Sequence, residues 1–277
     1  MYNVYNPTLL LFPGFKLKAL TFSYDDGVEA DVRLVEILRK NGLRGTFNLN
    51  SELAGKGNRL TRLTLAEALK LYGTDMEIAV HGANHLALKR TSPALAARDV
   101  LVDRENLEKV FQKTVRGMAY AYGSYNGDTI EMLKTLGIAY ARTTYATSEF
   151  DLPENWLELH PTCHHDAENL NELITKFISP VGAFGRKKPM LFYLWGHSYE
   201  FNDKNNWEVI EDFCELMGKQ TDVWFATNIE IYNYVEAFNR LIFSSDLSFV
   251  ENPSATDVYL RIRGKQIVAK AGEITRL

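Results

Sequence analysis

The sequence predicts an α/β fold, a closed or partly closed (β/α) barrel with a short antiparallel β extension at its C-terminal side. Three observations predict it. Strand-like apolar runs alternate with helix-like amphipathic runs through about the first 240 residues, the rhythm of a parallel sheet with crossover helices. The chain is 277 residues long, and 46% of them are hydrophobic, which suits one barrel with a large core. After about Phe243 the helical rhythm stops.

Taken in order, strands are expected at residues 18–24, 45–49, 77–81, 116–122, 138–143, 157–160, 190–196 and 222–226. Helices are expected at 28–40, 65–72, 93–112, 127–136, 168–177, 204–217 and 229–241. The first strand carries the apolar run Ala19-Leu20-Thr21-Phe22, and Asn41-Gly42 stops the first helix. From Leu247 onward, β-branched alternation is broken by Asn-Pro-Ser, Arg-Gly-Lys and Ala-Gly-Glu turns, with a hairpin expected over 258–262 and 266–269. Residues 1–242 therefore read as the barrel and 243–277 as a small β appendage.

The formal net charge is −4, from 31 Lys+Arg against 35 Asp+Glu, so no basic excess points to nucleic acid or an anionic membrane. Two cysteines, Cys163 and Cys214, are too few for a disulfide framework, which fits a reducing compartment. The apolar patch from Leu9 to Phe12 has no basic stretch before it and is cut short by Pro13-Gly14, so neither a signal peptide nor a membrane span is expected. The expected location is cytoplasmic.

In such a barrel, chemistry gathers at the C-terminal ends of strands and in the loops that follow. Asp25-Asp26-Gly27 ends the first strand, and "IAVHGANHLAL" delivers His81 and His85 after another. "MAYAYGSYNG" ends a third at Tyr122-Gly123, and "LFYLWGHSYEF" a fourth at Gly196-His197. Adjacent carboxylates at the mouth of a core repel each other, and something should compensate them. Two histidines four apart can bind one metal from a helical turn, with a carboxylate completing the set. One Asp would then bind the cation, whose charge lets the other stay ionised nearby. The HExxH metalloproteases are excluded, because Gly82 stands where their Glu would be.

The segments "TFSYDDG", "HGANH", "AYAYGSYN" and "LWGHSYEF", in this order and spacing, resemble the motifs of the polysaccharide deacetylases, the NodB-like carbohydrate esterases. The resemblance spans roughly Leu17 to Asn239 and implies a distorted (β/α)7 barrel that hydrolyses the acetamido group of an N-acetylated carbohydrate and releases acetate. It implies one divalent metal ion, most often zinc, on Asp26, His81 and His85. It further implies Asp25 as general base, His197 as general acid and the backbone N–H of Tyr122 as an oxyanion donor. A hydrolase of small non-sugar amides or ureides, and a non-catalytic carbohydrate-binding barrel, remain as alternatives.

Two departures from the family pattern stand out. Ala119 occupies the place of an Arg that orients the catalytic Asp, and "DLPENW" has Asn155 before Trp156, with Asp151 further back, where the family offers an Asp. Arg116 sits six residues before Tyr122, roughly 20 Å from the strand tip at about 3.3 Å per residue. Arg142, near the tip of the next strand, is better placed to pair with Asp25. Trp195, Tyr199, Phe201 and Trp207 read either as a sugar-stacking groove or as core, and His160, His164 and His165 either as substrate contacts or as solvated loop residues.

Overall fold

The computed structural model describes residues 9–57, 60–73, 75–180 and 188–277. Its parallel strands are β2 (Lys18–Asp25), β3 (Thr46–Leu49), β4 (Glu77–Val80), β5 (Gly117–Ala119), β6 (Tyr140–Arg142), β7 (Cys163–His164), β8 (Met190–Gly196) and β9 (Val223–Phe225); a short β1 (Leu9–Leu11) precedes them. The helices are α1 (Asp31–Lys40), α2 (Leu65–Tyr72), α3 (Pro93–Phe111), α4 (Gly127–Thr135), α5 (Leu170–Ile178), α6 (Tyr199–Lys204), α7 (Glu208–Gly218) and α8 (Asn228–Asn239). Seven strands run in the order β6-β5-β4-β3-β2-β8-β7, and β9 joins β2. A single parallel bridge, Arg142↔Leu159, links β6 to the segment running into β7, so the sheet curls round until its edges meet as a distorted barrel.

Strand β2 is the spine of this arrangement. It pairs with β8 from Lys18↔Met190 to Tyr24↔Gly196, while its other edge is shared by β9 (Lys18↔Val223 to Leu20↔Phe225) and β3 (Ser23↔Thr46 to Asp25↔Asn48). Alternation sends Phe22 and Tyr24 outward, against Phe213 of α7 and Phe201 of α6. Thr21, Ser23 and Asp25 point inward, where Thr21 donates to Asn228 and Ser23 accepts from Asn48. The main apolar layer therefore lies between sheet and helices, and the barrel interior is polar toward its C-terminal mouth.

Two expected elements differ. The segment expected as a strand over 157–160 holds a 3₁₀ turn, Trp156–Glu158, because the Asn155 side chain accepts from the N–H of Leu157 and caps it; the strand forms later, at β7. The helix expected over 204–217 is divided, because Asn205 takes a left-handed conformation (φ 50°) that a right-handed helix does not continue through.

Beyond the barrel come β10 (Ile242–Phe243), β11 (Phe249–Glu251), β12 (Val258–Ile262), β13 (Lys265–Ala269) and β14 (Ile274–Arg276). They form two small sheets, β10-β11-β14 and β1-β12-β13, the second recruiting β1 in the register Leu9↔Arg261 to Leu11↔Tyr259. Val250, Val258, Leu260, Ile262 and Ala269 bury against Ala237 and Leu241 at the end of α8.

Candidate active site

The ends of β2, β4, β5 and β8 bring the sequence-predicted residues to one mouth. Asp25 closes β2, and the chain then turns left-handed at Asp26 (φ 79°) and Gly27 (φ 62°). A Cβ at Gly27 would lie 2.7 Å from Leu49 Cδ2, so this turn needs glycine. The turn frees Asp26 from strand alternation, and its Oδ1 accepts from Arg62 Nη2 at 3.2 Å.

His81 follows β4, its N–H donating to Asp103 Oδ2 at 2.9 Å. His81 and His85 are joined by a loop closed by the N–H of His85 on the carbonyl of Gly82, with His85 at φ 56°, and not by the helical turn expected from their spacing. Asp99 packs beneath this loop: a Cβ at Gly82 would meet its Oδ2 at 2.5 Å, and its Oδ1 accepts from the N–H of Asn84.

The two Nε2 atoms lie 3.1 Å apart. Nδ1 of His81 is 2.9 Å from the Ala119 carbonyl, which can only accept, so Nδ1 carries a hydrogen and Nε2 is the nitrogen left to face the site. Burial first, then the proximity of His81, holds His85 down to about 4, so the His85 ring is neutral near pH 7. Two imidazole nitrogens this close, with a carboxylate oxygen of Asp26 and all three donors within 4.8 Å of one another, fit a divalent cation with open positions for ligands.

Asp25 faces the same space. Its Oδ1 accepts from Asn48 Nδ2 at 2.8 Å and its Oδ2 from Arg142 Nη2, while Nε2 of His81 and of His197 stand 3.7 and 3.9 Å from Oδ2. Burial pushes the Asp25 carboxyl up, but Arg142 foremost, then His81 and His197, hold it below its ordinary value. Burial pushes His197 down, yet the Glu200 carboxylate, 3.3 Å from Nδ1, and the charge of Asp25 raise it above the ordinary value. The two groups thus favour opposite charges, carboxylate and imidazolium.

Arg142 is 0% exposed, and its guanidinium lies over the Trp195 ring, 4.3 Å from its centroid. One face of Trp195 is therefore covered. Arg116 is elsewhere, over Tyr232 of α8. Tyr122 sits in a 3₁₀ turn after β5 with φ 58°, 72% exposed, its ring 4.4 Å from that of His85. Phe201 and Trp207 are buried in the core, so they do not form a sugar-stacking groove. His160 bonds Thr143 Oγ1 and borders a separate cavity of about 470 Å³ beside Asp151, Asn155 and Glu158. His164 and His165 gather around Glu200, not at the mouth with Asp25. Glu200 is the functional neighbour that the sequence reading missed, although its spacing three residues after His197 on a helix start was a local signal. Asn48, Arg62, Asp99 and Asp103 come from distant elements and offered none.

Residues 14–141 match the family described as polysaccharide deacetylase. In fold, the barrel resembles those of polysaccharide deacetylases. The match covers just under half of the chain. Among solved structures, a polysaccharide deacetylase from Mycobacterium smegmatis is similar at 18% identity over 84% of this chain and 95% of that one, with a TM-score of 0.63. The deacetylase PplD of Streptococcus pyogenes, solved with acetate, is similar at 22% identity over 57% of this chain and 69% of that one, with a TM-score of 0.51. A BA3943 mutant described as a CE4 family pseudoenzyme is similar at 15% identity over 78% and 67%, with a TM-score of 0.52. No curated protein sequence matches the chain. Among the described residues, no helix is long and apolar enough to cross a membrane.

Proposed function

We propose that the chain is a metal-dependent de-N-acetylase that removes the acetyl group from an N-acetylated sugar or oligosaccharide. The observation that carries this reading is a pair of groups 3.9 Å apart beside the donor set of Asp26, His81 and His85: Asp25, whose carboxyl is held below its ordinary value, and His197, whose imidazolium is raised above its own. A divalent cation, most simply zinc, on those three donors would polarise an amide carbonyl and acidify water in the pocket, which a base as weak as Asp25 requires. Asp25 accepts the proton of the attacking water, and His197 donates from Nε2 to the departing amine, which is too basic to leave unprotonated. The N–H of Tyr122 receives charge developing on the carbonyl oxygen. Arg142 positions Asp25 rather than touching substrate. The exposed ring of Tyr122 beside His85 suits a carbohydrate presented at a surface. Acetate, the acid this reaction releases, is the molecule held by the Streptococcus pyogenes deacetylase PplD.

The test is acetate release from N-acetylated mono- and oligosaccharides with and without chelator, alongside two variants. Asp25→Asn should retain metal and lose turnover by roughly 10²–10⁴-fold, while Asp26→Asn should lose metal affinity itself. A wild-type chain that takes up metal yet releases no acetate from any of these substrates would instead favour the non-catalytic reading that the pseudoenzyme relative exemplifies.

A further inference from the structure

Four donors converge behind His197, from β7, the loop after it, and α6. His164 and His165 each bring Nε2 to 3.1 Å from Oε2 of Glu200, and Oδ1 of Asp166 stands 3.6 Å from Nε2 of His165. Donors bound about 2.0–2.1 Å from a tetrahedral ion stand roughly 3.3 Å from one another, so these are the separations of a coordination sphere. One donor atom from each of the four side chains lies within 4.8 Å of the others.

His165 supplies the second, independent observation. Its ring is 1% exposed, stacked on Phe201 at 4.2 Å and pressed against Gly196, where a Cβ would come within 2.1 Å of Nδ1. Nδ1 lies 3.3 Å from the Tyr24 hydroxyl, the outer-shell bond that orients a ligating histidine and aims Nε2 inward. That buried Nε2 is close to Glu200 but misaligned with it, and it has no hydrogen-bond partner, a costly state for a polar atom. A cleft of about 590 Å³ bordered by α5, α7, His165 and Asp166 gives an ion a route from solvent.

We infer that His164, His165, Asp166 and Glu200 form a second site for a divalent transition metal such as zinc or cobalt, separate from the Asp26, His81 and His85 set. Glu200 joins it to the proposed active site: Oε2 faces the second set, and Oε1 faces Nδ1 of His197. Two contacts oppose binding and set its affinity. Lys204 pairs with Asp166 and must withdraw, and Nδ1 of His164 accepts from the N–H of Asp166, a bond that its ring must exchange to free Nε2.

The test counts metal in the tag-free full chain, stripped with chelator, titrated with Co²⁺ or Zn²⁺ and read by calorimetry and elemental analysis. Wild type should bind two equivalents, His81→Gln/His85→Gln one, and His164→Gln/Asp166→Asn one; Lys204→Ala should tighten the second equivalent several-fold. His164 and Asp166 are only partly buried, and melting curves establish that each variant is folded. Two equivalents retained in folded His164→Gln/Asp166→Asn would overturn the inference, as would a single wild-type equivalent that vanishes in His81→Gln/His85→Gln. The proposal is independent of the deacetylase reading: one equivalent that survives in His81→Gln/His85→Gln and vanishes in His164→Gln/Asp166→Asn supports the second site even if the first fails.

Discussion

Arg142 and Asp25, 117 positions apart in the chain, meet inside the barrel mouth, with Nη2 of the guanidinium donating to Oδ2 of the carboxylate. Both are out of solvent, so each charge depends on the other. In the pattern that the sequence resembles, an arginine would come from β5, at Ala119, but that residue is small and its carbonyl bonds His81. The cation arrives instead from β6, whose Arg142 is directly paired with Ala119 in the parallel register. The two positions are neighbours in the sheet.

Arg142→Ala should slow turnover by roughly tenfold or more. It also strands a buried carboxylate, a destabilisation of about 3–5 kcal/mol, so Arg142→Lys is the companion variant: it keeps a charge but loses the planar fork. Arg116→Ala, which loses only a contact with the Tyr232 ring, should leave turnover nearly unchanged. Steady-state kinetics with metal analysis decide it. A silent Arg142→Lys combined with a large loss at Arg116 would show that Asp25 is positioned otherwise.

Glu200→Gln should shift the pH profile. Burial pulls the His197 imidazolium down, and the Glu200 carboxylate is the foremost group holding it up. Without that charge its pKa falls. The proposed acid works only while protonated, so the alkaline limb of kcat/KM should move toward lower pH, with little change at the acid limb. A profile displaced equally on both limbs, or unmoved, would argue against Glu200 as the positioning partner of His197.

The barrel was legible in the sequence because its strands are apolar runs between amphipathic helices, a local pattern. Residues at the strand mouths were legible too, because histidines and paired carboxylates directly after such runs have few structural reasons to be there. The Asn205 break was hidden because no Gly or Pro marks it: Lys204-Asn205-Asn206 reads equally well as the polar face of a helix start, and only the left-handed backbone at Asn205 divides α6 from α7. Pairing of β1 with the tail was hidden for a different reason. Leu9–Leu11 is too short to declare a partner, and that partner lies some 250 positions away. Support for the site by Asn48, Asp99 and Asp103 is equally non-local.

Removing the chain from Leu247 onward should weaken stability more than chemistry. It deletes the partner of β1 and uncovers Ala237 and Leu241, and it removes the N–H of Tyr259 that donates to the Tyr234 hydroxyl. None of the mouth residues lies in that stretch. The expected result is a lowered melting temperature with metal uptake retained, measured by thermal denaturation and elemental analysis. A truncated chain of unchanged stability and metal content but without turnover would show that the tail builds the site.

Glu77, at the opposite end of the barrel, makes stability depend on pH in a direction unusual for a carboxylate. It is buried, accepting from Thr46 Oγ1, Tyr140 OH and the N–H of Ile229, with no cation beside it, and burial raises it to about 7. Unfolded, the same group ionises near 4.5. Between those values the folded state holds a proton that the unfolded state has released, so this contribution is fully present below about pH 4.5 and is lost as pH rises through about 7. The shift corresponds to about 3 kcal/mol. Gln in its place is neutral throughout: its oxygen takes the bonds of Thr46 and Ile229, and the Tyr140 hydroxyl turns to accept from the new NH₂. Relative to wild type, Glu77→Gln should therefore gain about 3 kcal/mol in stability between pH 4.5 and pH 8. Asp31 and Asp103, both also raised to about 7, remain in the two proteins and cancel in the difference. Denaturant melts of both proteins at the two pH values measure it, and a stability difference that is the same at both would mean that Glu77 is already ionised in the folded barrel.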